Sequence, residues 1–132
     1  MTISASDFIT IDRQVSGSGN STVVNLYGTT ANVATVTQLT SRTTGVTINN
    51  PVGNIVLFSV ANSQTDATFT VTNSFVEAGD VILVSQKSGT DPQRAAVTAV
   101  SAGSFKITCA AISGTTVESP VFNFVVVKGT IV

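Results

Sequence analysis

Alternation of apolar and polar side chains constrains the fold of this chain more than any other feature of its sequence. Residues 67–72 give the clearest case. There Ala67, Phe69 and Val71 would share one face of a strand, and three threonines would share the other. No window carries a sustained apolar i, i+3, i+4, i+7 stripe, and the β-branched Val and Thr that dominate the chain favour strands over helices. The sequence therefore predicts an all-β protein.

Further strand signals recur at about the spacing expected of a sandwich or barrel. Residues 95–100 and 104–110 predict a hairpin around the short loop Ser101-Ala102-Gly103. Residues 54–61 form a continuous apolar run, which predicts a strand covered on both faces. The other predicted strands are residues 8–11, 22–27, 34–39, 45–49, 80–85 and 122–127.

These strands predict an antiparallel two-sheet β-sandwich of jelly-roll type, because short connections do not suit parallel neighbours. The length of 132 residues suits one domain. We assign residues 21–132 to this sandwich and expect Phe122, Phe124 and Val126 to point into its core. Residues 1–20 are expected to form a short N-terminal arm or a first strand, with a flexible Gly/Ser turn near its end.

The composition removes most catalytic chemistry. The chain has no His and a single Cys, which excludes Ser-His-Asp and Cys-His arrangements and the usual zinc sites. The single Cys109 lies inside an alternating strand, and we interpret it as a buried side chain. Glu77 and Asp80 lie close together, and we interpret them as part of an ordinary solvated turn. We therefore predict a protein that is not an enzyme, with no catalytic, metal-binding or cofactor-binding residues.

Charge is sparse in this sequence. Lys and Arg number 6, Asp and Glu number 7, and charged residues make up 10% of the chain, against about a quarter in typical domains. So few basic residues argue against nucleic acid and anionic membranes as partners. A neutral exterior is weakly protected against association. It fits either an extracellular domain or a subunit whose surface is covered in an assembly.

The beginning of the chain lacks the basic and apolar regions of a signal peptide. No apolar run approaches the roughly 18 residues that cross a bilayer. We therefore expect synthesis in a cytoplasm without export by the usual secretory route.

Several short motifs between Gln38 and Val127 form a recognisable series. The most specific are the hairpin Thr98-Ala99-Val100-Ser101-Ala102-Gly103-Ser104-Phe105 and the ending Pro120-Val121-Phe122-Asn123-Phe124. The others are residues 38–41, 44–49, 53–56, 67–74 and 79–84. On these motifs, the segment resembles a β module of tailed-bacteriophage virion proteins. The resemblance implies a structural role in a capsid, tail or fibre, often as a trimer, and supplies no catalytic residues.

A capsid decoration (cement) protein is the function that these observations favour. Its expected partners are the major capsid protein and further copies of itself in a homotrimer. Its expected location is the exterior of the capsid, after synthesis in the host cytoplasm and release by lysis. The sequence shows no shaft, coiled coil or repeat of the kind a tail fibre needs. The alternative is a head-fibre or tail-tip adhesin that binds host glycans, although most Phe residues occupy inward positions of predicted strands.

The candidate interface residues are Phe8, Ile9 and Ile11 of the N-terminal arm, together with Arg13 and Arg42. The arm could add to the sheet edge of a neighbour or lie in a groove of the capsid. The same residues could instead form an ordinary first strand of the sandwich. Arginine suits an interface because its planar fork can pair with carboxylates.

Overall fold

The structure of the protein is a computed structural model that describes residues 33–129. These residues form β-strands and no helix, which confirms the all-β prediction. The strands are β1 (Val33–Thr37), β2 (Val46–Thr47), β3 (Val52–Val56), β4 (Val60–Ala61), β5 (Ala67–Thr72), β6 (Val81–Ser88), β7 (Gln93–Ser101), β8 (Ser104–Ala111), β9 (Val117–Glu118) and β10 (Val121–Val127). Within this range, no helix capable of crossing a membrane is found.

The strands are arranged in two four-stranded sheets and a short ribbon. Sheet A has the order β1-β3-β10-β6, sheet B has the order β2-β5-β8-β7, and β4 pairs with β9. The predicted hairpin is confirmed as β7 and β8, which pair from Gln93 with Ala111 to Ser101 with Ser104. Gly103 lies in the tight turn of this hairpin with a φ of 84°, a conformation that glycine adopts at little cost.

The prediction of strictly antiparallel sheets is wrong. β1 pairs with β3 in parallel, and β2 pairs with β5 in parallel. A parallel pair needs a long crossover, and here an intervening strand in the other sheet supplies it. Between β1 and β3, for example, the chain passes through β2 of sheet B. The jelly-roll arrangement is not confirmed, since a jelly roll belongs to the antiparallel architectures.

One hydrophobic core lies between sheets A and B and draws side chains from both. Phe122, Phe124 and Val126 of β10 point into it, as the alternation predicts. Phe105 of β8 meets Phe124 across the core, with ring centroids 5.4 Å apart and planes tilted by 57°. Removing this apolar surface from water stabilises the fold by about 25 cal/mol per Å². The two layers therefore depend on the same set of contacts.

Gly53 allows β3 to lie close to this core. A Cβ atom placed on Gly53 would come within 2.9 Å of Cε1 of Phe124 and still closer to Cδ1 of Ile48. Because the interior is already close-packed, an added methyl group would displace one of these side chains. Close approach, rather than an unusual φ, is what requires glycine here.

The turn that contains Glu77 and Asp80 differs from the prediction. Glu77 is exposed, but Asp80 is buried, with only 6% of its surface accessible. The carboxylate of Asp80 accepts from Nζ of Lys128 at 2.6 Å and from the backbone N–H of Gly129 at 3.1 Å. The interpretation of Asp80 as a solvated turn residue is therefore wrong, because its partners come from the far end of β10. The carboxylate fastens that end to the loop before β6.

Candidate functional site

A polar cluster lies at the end of the fold where β4 pairs with β9. It consists of Arg42, Asn62, Asp91, Thr116 and Glu118. Turns and strand ends supply these side chains: the turn after β1, the end of β4, the turn between β6 and β7, and β9. Within residues 33–129 it is the strongest candidate for a catalytic or ligand site, because it joins two carboxylates to a guanidinium group.

Arg42 is partly buried, and its guanidinium group donates hydrogen bonds to groups of the same chain. Its Nε donates to the carbonyl of Phe58, and its Nη2 donates to the carbonyls of Val60 at 3.1 Å and Glu118 at 2.9 Å. The same nitrogen lies 3.1 Å from Oδ1 of Asn62. Burial lowers the pKa of Arg42, yet a guanidinium group stays charged in proteins. Arg42 thereby connects the turn after β1 to both strands of the ribbon.

Gln38 holds the Arg42 turn in place. Its side chain is almost completely buried, with 2% of the residue accessible. The Nε2 atom donates to the carbonyls of Arg42 at 3.1 Å and Thr44 at 3.0 Å, while Oε1 accepts from the backbone N–H of Phe58 at 3.1 Å. One amide side chain thus satisfies three backbone groups, as buried polar groups require.

Asp91 is the more buried of the two carboxylates in the polar cluster. Its Oδ2 accepts from Nδ2 of Asn62 at 2.9 Å and from the backbone N–H of Thr116 at 2.8 Å. Its Oδ1 accepts from the Thr116 hydroxyl at 3.0 Å. The hydrogen bond from Asn62, followed by that from the Thr116 backbone, holds the pKa of Asp91 below its usual range. Asp91 is therefore a permanently ionised acceptor near neutral pH.

Glu118 is held in the same manner. Its Oε2 accepts from the backbone N–H of Thr90, and its Oε1 accepts from the backbone N–H of Asp91 at 3.0 Å. Nδ2 of Asn62 donates to Oε1 at 2.6 Å, so the two carboxylates share one amide group. The backbone hydrogen bonds from Thr90 and Asp91 lower the pKa of Glu118.

This geometry indicates that the polar cluster holds the surrounding turns and strands together. A general acid needs a raised pKa, whereas both carboxylates have lowered ones. Their oxygen atoms accept hydrogen bonds from N–H and O–H donors, whereas a cation binds to oxygen lone pairs that are free of such donors. Residues 33–129 also contain no group of three or more His, Cys, Asp or Glu side chains that could hold a metal ion. The polar cluster therefore ties turns to strands.

Two recesses adjoin the polar cluster. One, of about 310 Å³, is lined by residues 86–92 of the turn between β6 and β7. The other, of about 120 Å³, is lined in part by Arg42, Gln93 and Cys109. Burial raises the pKa of Cys109 to about 11, so its thiol is protonated and unreactive near neutral pH. Cys109 is buried in β8, which confirms the sequence interpretation.

The predicted interface residues fall into two groups. Phe8, Ile9, Ile11 and Arg13 lie outside the described residues. Arg42 lies inside them, and its hydrogen bonds are internal, so its role as an interface residue stays a prediction. Sequence reasoning missed Asn62, Asp91 and Glu118 as partners of one another. No local pattern could have revealed them, because Asn62 lies 29 residues from Asp91 and 56 residues from Glu118 along the chain.

Most charged side chains in the described part of the chain are engaged within it. Arg94 pairs with Asp66 at 2.6 Å, and Lys128 lies 2.6 Å from Asp80 and 3.6 Å from Glu77. The polar cluster holds three more charged groups. The two remaining lysines, Lys87 and Lys106, lie on the outer faces of sheets A and B. The exterior therefore carries little charge that is free to meet a charged ligand.

The outer face of sheet B is covered by threonine. Thr68 and Thr108 share a hydrogen bond between their hydroxyls at 2.7 Å, and Thr98 lies 3.1 Å from Thr108. Thr70 faces Lys106 across the β5–β8 pair. These side chains hydrogen-bond with one another and present hydroxyl groups to water. The outer face of sheet B is therefore stable in contact with solvent.

The outer face of sheet A carries an apolar stripe at one end. Its members are Val33, Val52, Val81, Leu83, Val125 and Val127, which come from all four strands of the sheet. Paired residues of neighbouring strands point to the same face. Leu83 and Val81 remain 53% and 54% exposed among the described residues. Sheet A therefore has apolar side chains on its outer face as well as on its core face, which is the pattern of a sheet that is covered on both sides.

Comparisons with protein-family models, curated proteins and solved structures gave no match. What the protein does therefore has to be inferred from its own residues and their geometry.

Proposed function

We propose that the protein is a structural subunit of a tailed-phage virion, a capsid decoration protein that binds across neighbouring capsid subunits. The observation that carries this proposal is an exterior with little unpaired charge, because most charged side chains of the described residues pair with one another or bond to groups of the same chain. Such a surface offers little to nucleic acid or to an anionic membrane. It suits contact with protein, because the cores of protein interfaces are depleted of charge.

The partners proposed are the major capsid protein and two further copies of this chain on the capsid exterior. The resemblance of residues 38–127 to phage virion modules supports this choice of partner. Each contact would bury apolar surface at about 25 cal/mol per Å², less the cost of immobilising the subunit. Attachment at several points of one shell would then multiply a modest affinity.

An internally fastened body also suits this role. The polar cluster fastens turns to strands, and the Asp80–Lys128 pair fastens the loop before β6 to the end of β10. A decoration protein transmits load between capsid subunits, and fastened turns resist local opening. The adhesin alternative gains no support from the 310 Å³ recess, because none of its lining residues 86–92 is aromatic, whereas ligand pockets commonly have aromatic walls.

Binding to phage heads tests the proposal. Full-length protein is mixed with heads of the phage that carries its gene, after native copies have been removed, and the heads are sedimented. We expect the protein to sediment with them and to saturate at a fixed ratio to the major capsid protein. Protein that stays in the supernatant at every concentration, or that binds only host glycans on an array, would contradict the proposal.

A pair of variants tests the contribution of the N-terminal arm. Replacing Ile9 and Ile11 together by Asp is expected to reduce head occupancy by about tenfold, because an apolar anchor in an interface becomes charged. Thr10→Asp adds charge at the polar position between them and is the matched control, with occupancy close to wild type. Wild-type occupancy of the double variant would show that the arm is not the contact.

A further inference from the structure

Sheet A differs from sheet B in having apolar side chains on both of its faces. On β10, Phe124 and Val126 point into the core, while Val125 and Val127 point outward. On β6, Ile82 is buried in the core, while Val81 and Leu83 point outward. Strands that are apolar on both faces are typical of sheets covered on both sides. Outside sheet A, however, the described residues place no further layer of strands.

The apolar stripe has a defined boundary. The next row of the same face is polar and consists of Thr35, Asn54, Asn123 and Ser85, which pair across the four strands. Within this row Asn54 donates to Thr35 at 3.4 Å, and Ser85 donates to Asn123. The apolar stripe thus contains one row of side chains on β1 and β3, and two rows of side chains on β10 and β6.

The dimensions of the stripe fit a segment of chain better than a globular partner. Neighbouring strands lie about 4.8 Å apart, so four strands span roughly 14 Å from β1 to β6. A stable interface between globular proteins buries about 800 Å² on each partner. Five valines and one leucine, in one row across roughly 14 Å with a second row on two of the strands, offer far less than that. The width of the stripe matches the length of one crossing strand.

The chain outside the described residues begins at this stripe. Val33 is both the first described residue and a member of the stripe, and Val127 lies two residues before the last described position. Residues 22–27 (Thr-Val-Val-Asn-Leu-Tyr) are apolar enough to cover it. Six extended residues span about 20 Å, and residues 28–32 can reach about 16 Å, more than the roughly 10 Å between packed layers.

We propose that residues 22–27 of the same chain lie across the apolar stripe as a third layer, with Val24 and Leu26 facing sheet A. This arrangement would cover Leu83 and Val125 and would start the N-terminal arm from the outer face of sheet A. The tethered segment has the advantage of high effective concentration over any second molecule. The proposal is independent of the virion role, since it concerns the chain alone.

Thiol labelling of the full-length chain tests this proposal. Leu83→Cys places a thiol in the stripe, and Ser85→Cys places one on the same strand and face, outside it. Both positions are exposed among the described residues. Cys109 is buried and its pKa is raised, so its labelling adds little to the rate measured for the introduced thiol. Absence of Cys109 labelling also shows that each variant is folded. Each rate with iodoacetamide is divided by the rate for the same variant in denaturant.

We expect Leu83→Cys to react at least about tenfold more slowly than Ser85→Cys, because opening of the covering segment must precede labelling. The ratio should not change with protein concentration. Adding Leu26→Asp to the Leu83→Cys variant should restore fast labelling of the introduced thiol, whereas Asn25→Asp, at the neighbouring position that faces away, should not.

Three results would overturn the proposal. Equal labelling rates for the two thiols would show that the stripe is open to solvent. This result is expected if residues 22–27 instead pair with the edge of β1, because that edge lies across the sheet from Leu83. Protection that grows with protein concentration would show a second copy on the stripe. Protection that survives Leu26→Asp would exclude residues 22–27 as the cover.

Discussion

Arg42→Ala is expected to lower the free energy of unfolding by about 3 kcal/mol. Four acceptors lose their donor in this variant: the carbonyls of Phe58, Val60 and Glu118, and Oδ1 of Asn62. A buried acceptor without a partner costs about 1–3 kcal/mol, and water that reaches the more exposed of these groups reduces the sum. Arg42→Lys should recover little, because one ammonium group cannot reproduce the planar fork.

Urea unfolding at neutral pH measures this effect, with Arg94→Ala as the matched control. Arg94 also carries a guanidinium group, but it pairs with Asp66 on the surface, where both side chains are more than half exposed. Exposed pairs of this kind contribute at most about 1 kcal/mol. Similar losses in the two variants would contradict the structural role of Arg42. An Arg42→Ala variant that keeps its stability but no longer binds phage heads would instead identify Arg42 as an interface residue.

Acidification is expected to destabilise the protein steeply below about pH 5. Hydrogen bonds hold the pKa values of Asp91 and Glu118 below their usual range, and the Lys128 ammonium with backbone N–H groups does so for Asp80 despite the opposing effect of burial. A carboxyl whose pKa is lower in the folded protein contributes its full stabilisation above its unfolded pKa of about 4. That contribution is lost as the pH falls toward the folded pKa.

The measurement is the urea midpoint at a series of pH values from about 7 to about 2. The midpoint should stay nearly constant down to about pH 5 and then fall, with the slope reporting the protons taken up on unfolding. Asp91→Asn removes one of the three carboxylates and should reduce that slope. A flat profile in the wild type, or an undiminished slope in Asp91→Asn, would contradict the hydrogen-bonding account of the polar cluster.

The hairpin and the core of this protein could be predicted from local sequence, because alternation and turn residues act over a few positions. Phe105, Ile107 and Cys109 on β8 are buried as the alternation predicts. The pairing of distant strands could not be predicted in the same way. Short connections favoured antiparallel neighbours, but the chain crosses from sheet A to sheet B and back, so β1 meets β3 in parallel.

The polar cluster was beyond sequence reasoning for a related physical reason. Asp91 follows a turn signal, and Glu118 lies in a short strand, so each is locally an ordinary surface residue. The lowered pKa of Asp91 depends chiefly on Asn62 and Thr116, and that of Glu118 on the backbone N–H groups of Thr90 and Asp91. All of these partners come from distant parts of the chain. By contrast, the sparse charge of the chain was visible from composition alone. The structure adds that most of these charges, among the described residues, are paired with one another or hydrogen-bonded to other groups of the chain.

The apolar stripe links the fold to the question of partners. The predicted strand at residues 54–61 was expected to be covered on both faces, yet it is divided into β3 and β4. On β3, Val52 and Val56 are only partly buried on their outer side. The prediction of a single strand covered on both faces is therefore wrong, since β4 is exposed and the outer side of β3 stays partly accessible among the described residues. The labelling experiment distinguishes two possible covers of the apolar stripe, residues 22–27 of the same chain and another molecule.

The salt dependence of binding to phage heads measures whether a neutral exterior meets the other protein subunits. Raising the salt concentration shortens the screening length from about 10 Å at 0.1 M to about 3 Å at 1 M. We expect head occupancy by the full-length protein to stay the same or to rise slightly over this range. A loss of about tenfold or more in affinity would show that charge drives the contact, and the proposal of a neutral protein-binding exterior would then be wrong.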